Sequence, residues 1–381
     1  MASESDNEAG PIKTYSLEDN LDLLSEKSGA TREIALEAIF KELKNQYHEE
    51  FVTKSRLTLL DALKKSLRKG SAKERKFGAL CVAMTSVTLG ADDDELYKEF
   101  KPIFSELISP QNTGVSEETK ATLAESLAMI CLVSADENET LNVINELFAV
   151  IQHHTSNNEL IAAGVRAWSL LVSTISQSTG IEPIVEQALQ TLLDLLKNED
   201  VDVRVAAGEA VALLVEKQRD VEEDNFELRS FADIGQVDVD DLLDSLHELA
   251  SDKTKMRARK DKLKQRLPFK EIVASVEEGI IPTEILSFKH QKFTFENWEK
   301  LIQLDAVREL LAEGLQTHFE NNPLLHQIFD ISLDKQAKKT QLSSVEKRLM
   351  MSPSSPMSKA RTQNRSKQRE LKGNQHNGEE V

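Results

Sequence analysis

Residues 202–214 read Asp202-Val203-Arg204-Val205-Ala206-Ala207-Gly208-Glu209-Ala210-Val211-Ala212-Leu213-Leu214. The apolar residues recur at steps of three and four, the period of a helix face rather than of a strand. Ala206, Ala207 and Ala210 are small enough to let a second helix approach closely. Weaker copies lie upstream at 32–39, 75–81, 120–127 and 161–168. The small residue falls at Ala38, Cys81, Ser126, Ala167 and Ala210, with spacings of 43, 45, 41 and 43. A period near 43 with two helices per unit fits HEAT and armadillo repeats, whereas tetratricopeptide and ankyrin repeats need about 33–34. Each helix pair would bury its stripe against the next, giving a curved superhelix with an extended inner face open to protein partners.

Outward from that stretch, helical blocks of 15–20 residues run from about Ser16 to Arg219. The breaks are Ser28-Gly29, Lys69-Gly70, Leu89-Gly90, Ser109-Pro110, Thr179-Gly180 and Asn198-Glu199-Asp200, all helix-ending punctuation. Glycine and proline together are 23 of 381 residues, about half of average usage, which excludes collagen and turn-dense sandwiches. The two cysteines, Cys81 and Cys131, sit inside apolar helical runs and cannot make a disulfide framework or a zinc site alone. No run of 18 apolar residues occurs, and Met1–Gly10 is acidic and polar. A membrane span and a secretory signal are therefore not expected, and an intracellular protein is.

The formal charge of −18 hides two islands of opposite sign. Residues 253–270 carry nine Lys/Arg against Asp261, and residues 335–372 carry eleven against Glu346 and Glu370. The islands hold +8 and +9, so the remainder holds −35. Segregation on this scale points to a polyanionic partner for the islands and a different partner for the acidic scaffold.

The chain is accordingly expected to be mostly α: an armadillo/HEAT-like helical solenoid with a small carboxy-terminal α+β or helical module and a basic tail. Residues 1–14 read as a disordered acidic start, 15–250 as the repeats and 251–268 as a basic connecting segment. Residues 269–333 read as a module packed on the end of the solenoid, with a short β element at 284–288 and 292–295. Residues 334–381 lack a core stripe and read as a largely disordered tail, in which 343–350 could form one short helix. Within the two basic stretches the residues expected to meet phosphate are Lys255, Arg257, Arg259, Lys260, Lys262, Lys264 and Arg266, then Lys347, Arg348, Lys359, Arg361, Arg365, Lys367 and Arg369. Stacking aromatics are absent from the tail, so contact would be to RNA backbone by counterion release.

Sites of chemistry are scarce. No phosphate loop, dinucleotide turn or zinc spacing occurs, so no cofactor, metal or catalytic residue is expected. His153-His154 has no ligand partner at metal spacing, and Asp92-Asp93-Asp94-Glu95 suits the start of a helix. Lys73, Arg75 and Lys76 near Cys81 leave a reactive thiol as a minor alternative.

Together these residues resemble the interferon-related developmental regulators over about 30–370. The carriers are Phe51–Gly70 with the Arg75 helix, and Val201–Ala210. Further on come Lys260–Arg266 leading into Phe269-Lys270-Glu271-Ile272-Val273, Pro282-Thr283-Glu284, Lys359-Ala360-Arg361-Thr362 and Arg365-Ser366-Lys367. The resemblance implies an armadillo-like fold and no enzymatic activity. It also implies a regulator of gene expression: foremost a ribosome-associated translational repressor, alternatively a nuclear co-regulator that scaffolds repressor and deacetylase complexes. The acidic Met1–Gly10 departs from the basic, low-complexity start of that family. The expected partners are the ribosome and its RNA, proteins on the solenoid surface and repressor complexes, with no membrane. The cytoplasm is the expected compartment, and the nucleus follows from the alternative.

Overall fold

The computed structural model describes residues 15–91, 94–153, 157–251, 259–288 and 291–331, without the side chains of 224, 259–264 and 291. Helix α1 (Leu17–Leu23) precedes five helices that stack in one row: α2 (Gly29–Asn45), α4 (Ala72–Leu89), α6 (Glu117–Ser134), α8 (Asn158–Val172) and α10 (Val201–Glu222). Between them, α3 (Glu49–Lys69), α5 (Asp94–Ile108), α7 (Glu137–His153) and α9 (Glu182–Leu195) each pack on the helix that follows. The expected solenoid is present, and all five small residues of the 43-residue period lie on the stacked row.

The two rows differ because their surroundings differ. In α4 and α6 most residues after the first turn are buried, since these helices are covered by an outer helix and by a neighbour on each side. The outer helices α5 and α7 bury one stripe and expose the rest, the ordinary amphipathic pattern. Local chemistry sets the starts. Ser71 and Glu74 form a reciprocal capping box on α4, and the Asp200 side chain accepts from Asp202 N and Val203 N at the start of α10. The Leu89-Gly90 break is a stop because Gly90 takes φ +78.

The repeat period is also written in polar contacts. Arg32 Nε donates to Glu74 Oε1 across 42 residues at 2.6 Å, Arg166 Nη2 to Glu125 Oε1 across 41 at 2.6 Å, and Lys217 Nζ to the Ile175 carbonyl across 42 at 2.9 Å. Six residues before the small anchor stand Arg32, Arg75, Lys120 and Arg204 in four of the five units. Each turns back onto main-chain carbonyls: Arg32 on Glu26 and Lys27, Arg75 on Leu67, Lys120 on Ser109, and Arg204 on Asn198 and Glu199. Lys120 and Arg204 are fully buried, which is tolerable because the carbonyls left over at chain turns receive their charge-assisted donors.

After α10 come α11 (Leu228–Ile234), α12 (Val239–Ala250) and α13 (Arg259–Glu278). Helix α13 packs on α10 and α12 and so extends the inner row. The expected border at 268/269 falls inside this one helix, around Pro268. The β element is an antiparallel hairpin, β1 (Glu284–Phe288) with β2 (Gln291–Phe295), pairing Leu286 with Phe293. Phe288, Phe295, Phe319 and Phe329 join the hairpin to the last helices through ring contacts of 5.2 to 5.5 Å.

The module expected on the end of the solenoid is instead folded back over its inner row. Helix α14 (Trp298–Leu311) packs on α8 and α10 and also touches α2. A helix of 14 residues spans only about 21 Å, so the row must curve around it. At one end the Glu216 carboxylate of α10 accepts from Trp298 N at 2.8 Å and Glu299 N at 3.1 Å. At the other, α15 (Leu315–Asn321) places His318 Nε2 3.0 Å from the Leu43 carbonyl. Asn322, which caps α16 (Pro323–Ile328), donates to the Val87 carbonyl at 2.9 Å. Gly314 lies against α2 so closely that a Cβ there would sit 1.8 Å from the Lys44 carbonyl oxygen. The inner face that was expected to lie open carries the chain's own carboxy-terminal segment, because the apolar residues Trp298, Leu301, Ile302 and Leu304 need a core and the hairpin turns them towards it.

Candidate functional site

The basic stretch of 253–270 is carried from residue 259 onward by α13, and the way α13 is held decides what it can display. Gln265 is buried, and its Oε1 accepts from Arg204 Nε at 2.8 Å and Nη2 at 2.6 Å, while its Nε2 donates to the Leu249 carbonyl at 2.9 Å. Phe269 and Ile272 complete the buried face. They close on Gly208, where a Cβ would stand 2.8 Å from Ile272 Cδ1, so the lack of a side chain at Gly208 permits this docking. Arg266 and Lys270 are exposed. Arg259, Lys260, Lys262 and Lys264 belong to the first turns of the same helix. Lys255, Arg257, Lys347, Arg348, Lys359, Arg361, Arg365, Lys367 and Arg369 lie outside the described residues, as does the short helix expected over 343–350.

A second feature lies under α14. On α4, α6, α8 and α10 the residues just before the small anchor are Leu80, Glu125, Arg166 and Glu209, and these four turn to the inner face. Together with α14 they line a cleft of about 310 Å³. Arg166 bonds Glu125 and approaches Glu309 of α14 at 3.5 Å. Burial works against the Arg166 charge, but Glu125 and Glu309 outweigh it and raise its pKa. Burial pushes the Glu125 carboxyl up, and Arg166 pulls it back only in part. Glu209 is pushed up to about 8, first by burial and then by Asp305. Asp305 is itself raised by burial despite Arg308.

The remaining sequence candidates are inert. Cys81 is fully buried and its thiol approaches the Leu36 carbonyl at 3.5 Å. Burial drives its pKa far up and takes that of Cys131 to about 11, so a reactive Cys81 is not what this site offers. Lys73 pairs with Glu37 at 2.8 Å instead. His153 is exposed at the end of α7, and Asp94 and Glu95 open α5; His154, Asp92 and Asp93 lie outside the described residues. Among the described residues no helix is long and apolar enough to cross a membrane.

Sequence reading missed the Arg204–Gln265 link, the Glu216 cap and the cleft. A signal for the first was available in the basic residue six positions before each anchor, and for the cleft in the charges one position before Ser126, Ala167 and Ala210.

The fold and these surfaces define an armadillo-like helical solenoid whose inner face is covered by its own carboxy-terminal helices. The family model described as interferon-related developmental regulator matches residues 1–277, and a second, described as interferon-related protein conserved region, matches 322–373. Interferon-related developmental regulator 1 of Sus scrofa is 31% identical over 376 residues, covering 93% of this chain and 80% of that protein. The Homo sapiens protein of the same name shows the same identity and coverage. Interferon-related developmental regulator 2 of Mus musculus is 31% identical over 388 residues, covering 97% and 83%. The chain belongs to the interferon-related developmental regulator family. Its relatives are named as regulators, not as enzymes.

Proposed function

We propose that this protein is a non-enzymatic, ribosome-associated translational repressor that grips ribosomal RNA through its basic segments, 253–270 and 335–372. The observation that supports this reading most is the charge segregation: +8 and +9 on two short stretches of a chain whose remainder carries −35. Phosphate is the partner that such stretches suit, since neutralising it releases counterions. The docking of α13 adds to the argument. A helix fixed by Arg204, Phe269 and Ile272 carries the exposed Arg266 and Lys270 without the backbone ordering cost that a free segment would bear. The acidic solenoid would be repelled by RNA, which leaves the basic segments as the contact and sets the orientation. A nuclear co-regulator that recruits proteins along the inner face of the solenoid is supported less well, because α14 to α16 occupy that face.

Sedimentation of a cell lysate through sucrose gradients at low and moderate salt tests the proposal. Co-migration with ribosomal particles that disappears as salt rises is expected. A protein that stays at the top of the gradient at low salt and is nuclear by imaging would support the co-regulator instead.

A further inference from the structure

One group of cations falls outside both basic islands. Residues 64–76 carry seven Lys/Arg against Glu74 alone. Most of them already have partners: Lys64 pairs with Glu99, Lys65 with Asp61 and Lys73 with Glu37, while Arg75 donates to the Leu67 carbonyl. Arg68 and Lys69 are exposed, and neither side chain has an ion-pair or hydrogen-bond partner among the described residues. They end α3, and Gly70 and Ser71 alone connect it to α4. Ser71 is exposed. Gly70 (φ −75, ψ 167) and Ser71 (φ −63, ψ 171) are both extended, which is the backbone form that a protein kinase takes into its groove. Two basic residues placed two and three positions before a serine are a charge pattern that kinases read. An arginine also stands three residues before Ser169, but Ser169 lies inside α8 and is 3% exposed.

We propose that Ser71 is a phosphorylation site for a basophilic protein kinase that reads Arg68 and Lys69, and that its phosphorylation loosens the joint between the first two repeats. Ser71 Oγ attacks the γ-phosphorus of kinase-bound ATP: an O–P bond forms, the bond to the β,γ-bridging oxygen breaks, ADP leaves, and the hydroxyl proton passes to the catalytic carboxylate of the kinase. The last turn of α3 opens so that Arg68 and Lys69 follow the acceptor into the groove. Helix ends open at lower cost than core helices, and the opening stops at Leu67, which is buried. The unmodified hydroxyl ties α4 to α2, since Ser71 Oγ donates to Glu33 Oε1 at 2.6 Å and accepts from Glu74 N at 3.1 Å. A phosphate ester has no proton to give Glu33 and sets roughly −1.5 to −2 of charge against it. Glu74 cannot turn away from that charge, being 3% exposed and bonded to Arg32 at 2.6 Å and to Ser71 N at 2.8 Å. The repulsion therefore falls on the Arg32–Glu74 contact too, a second link between α2 and α4. The cap of α4 survives, because phosphate oxygens still accept from Glu74 N and a helix start favours an anion. This inference is independent of the ribosomal proposal, which concerns the two basic islands.

The test incubates the folded full chain with ATP and the catalytic subunit of cyclic-AMP-dependent protein kinase, and locates phosphate by peptide mass spectrometry. Phosphate on Ser71 is expected, and Ser71→Ala should lose it. Arg68→Ala with Lys69→Ala, which changes only exposed side chains, should lower kcat/KM for Ser71 at least about tenfold. Hydrogen exchange then compares the phosphorylated and unmodified chains: α2 should exchange severalfold faster after phosphorylation, with α8 unchanged. A peptide spanning residues 64–76 reports the motif without the fold. Phosphate accepted by that peptide but not by Ser71 of the folded chain, or accepted by neither, would overturn the site. Equal exchange of α2 with and without the phosphate would overturn its effect on the joint.

Discussion

Replacing Gln265 with leucine isolates the link that holds the basic helix to the repeats. The side chain keeps a similar volume, so packing against α10 is preserved, but at least three hydrogen bonds vanish. Two of them are donated by the buried Arg204 guanidinium, at 2.8 and 2.6 Å, and the third goes to the Leu249 carbonyl at 2.9 Å. Bonds to charged groups are each worth about 1.5–3 kcal/mol. The two from Arg204 share one acceptor oxygen, so together about 3 kcal/mol is a fair sum, partly offset by the burial of leucine. Arg204 keeps the Asn198 and Glu199 carbonyls at 2.7 Å and stays anchored to its own repeat. The destabilisation should therefore fall on the docking of α13, as expected where neighbouring elements carry the stability of a solenoid. A net change of about 2–3 kcal/mol corresponds to amide exchange roughly 30- to 150-fold faster, at 1.36 kcal/mol per decade. Hydrogen exchange read by mass spectrometry should show this in residues 265–278, with α4 and α6 unchanged. Gln265→Glu restores the acceptor for Arg204 but, being ionised, cannot donate to the Leu249 carbonyl, so it should recover only part of the protection that the leucine variant loses. Exchange in α13 within about threefold of the parent in the leucine variant would refute the reasoning.

Other outcomes follow from the same network of side chains. Glu209 has a folded-state pKa of about 8, above its ordinary 4.5, so its ionisation costs stability above pH 4.5 and the full cost is reached above pH 8. Glu209→Gln should leave the melting temperature unchanged near pH 4 and stabilise by about 1–3 kcal/mol at pH 8.5, a figure discounted for partial exposure, as calorimetric melts at the two pH values would show. Glu216→Ala removes the carboxylate that accepts from Trp298 N and Glu299 N and should cost about 1–2 kcal/mol, seen as faster exchange confined to residues 298–311. Ellman's reagent should label neither Cys81 nor Cys131 in the folded protein and both in denaturant, because burial holds each thiol protonated.

The repeats are legible in the sequence because the small residues at Ala38, Cys81, Ser126, Ala167 and Ala210 mark a row in which close approach is obligatory. A fixed period is a property of stacking, and stacking leaves its trace in every unit. The return of residues 298–328 over the inner face leaves no such trace. Trp298, Leu301 and Ile302 show that this segment must bury a stripe, but not against what, since helix periodicity is silent about partners far away in sequence. The same blindness hides the Glu216 cap, whose carboxylate meets a helix start 82 residues later. Buried charges escape linear reading for a different reason. Arg204 and Lys120 look like solvated faces in the sequence, and only the turn carbonyls beside them explain their burial. The basic helix is visible as a charge island, while its rigid attachment depends on Gln265, a residue whose polarity suggests exposure.

Purified ribosome binding across a salt series tests most directly whether the basic tail meets RNA phosphate. The parent is compared with a variant in which Lys359, Arg361, Arg365, Lys367 and Arg369 are all alanine. Each phosphate that is no longer neutralised should flatten the slope of log affinity against log salt by roughly 0.7 to 0.9. Five such phosphates should therefore remove about 3.5 to 4.5 from the slope, and the affinity gap between parent and variant should be widest at low salt. A variant that binds ribosomes with the parental affinity and the parental slope would contradict the account.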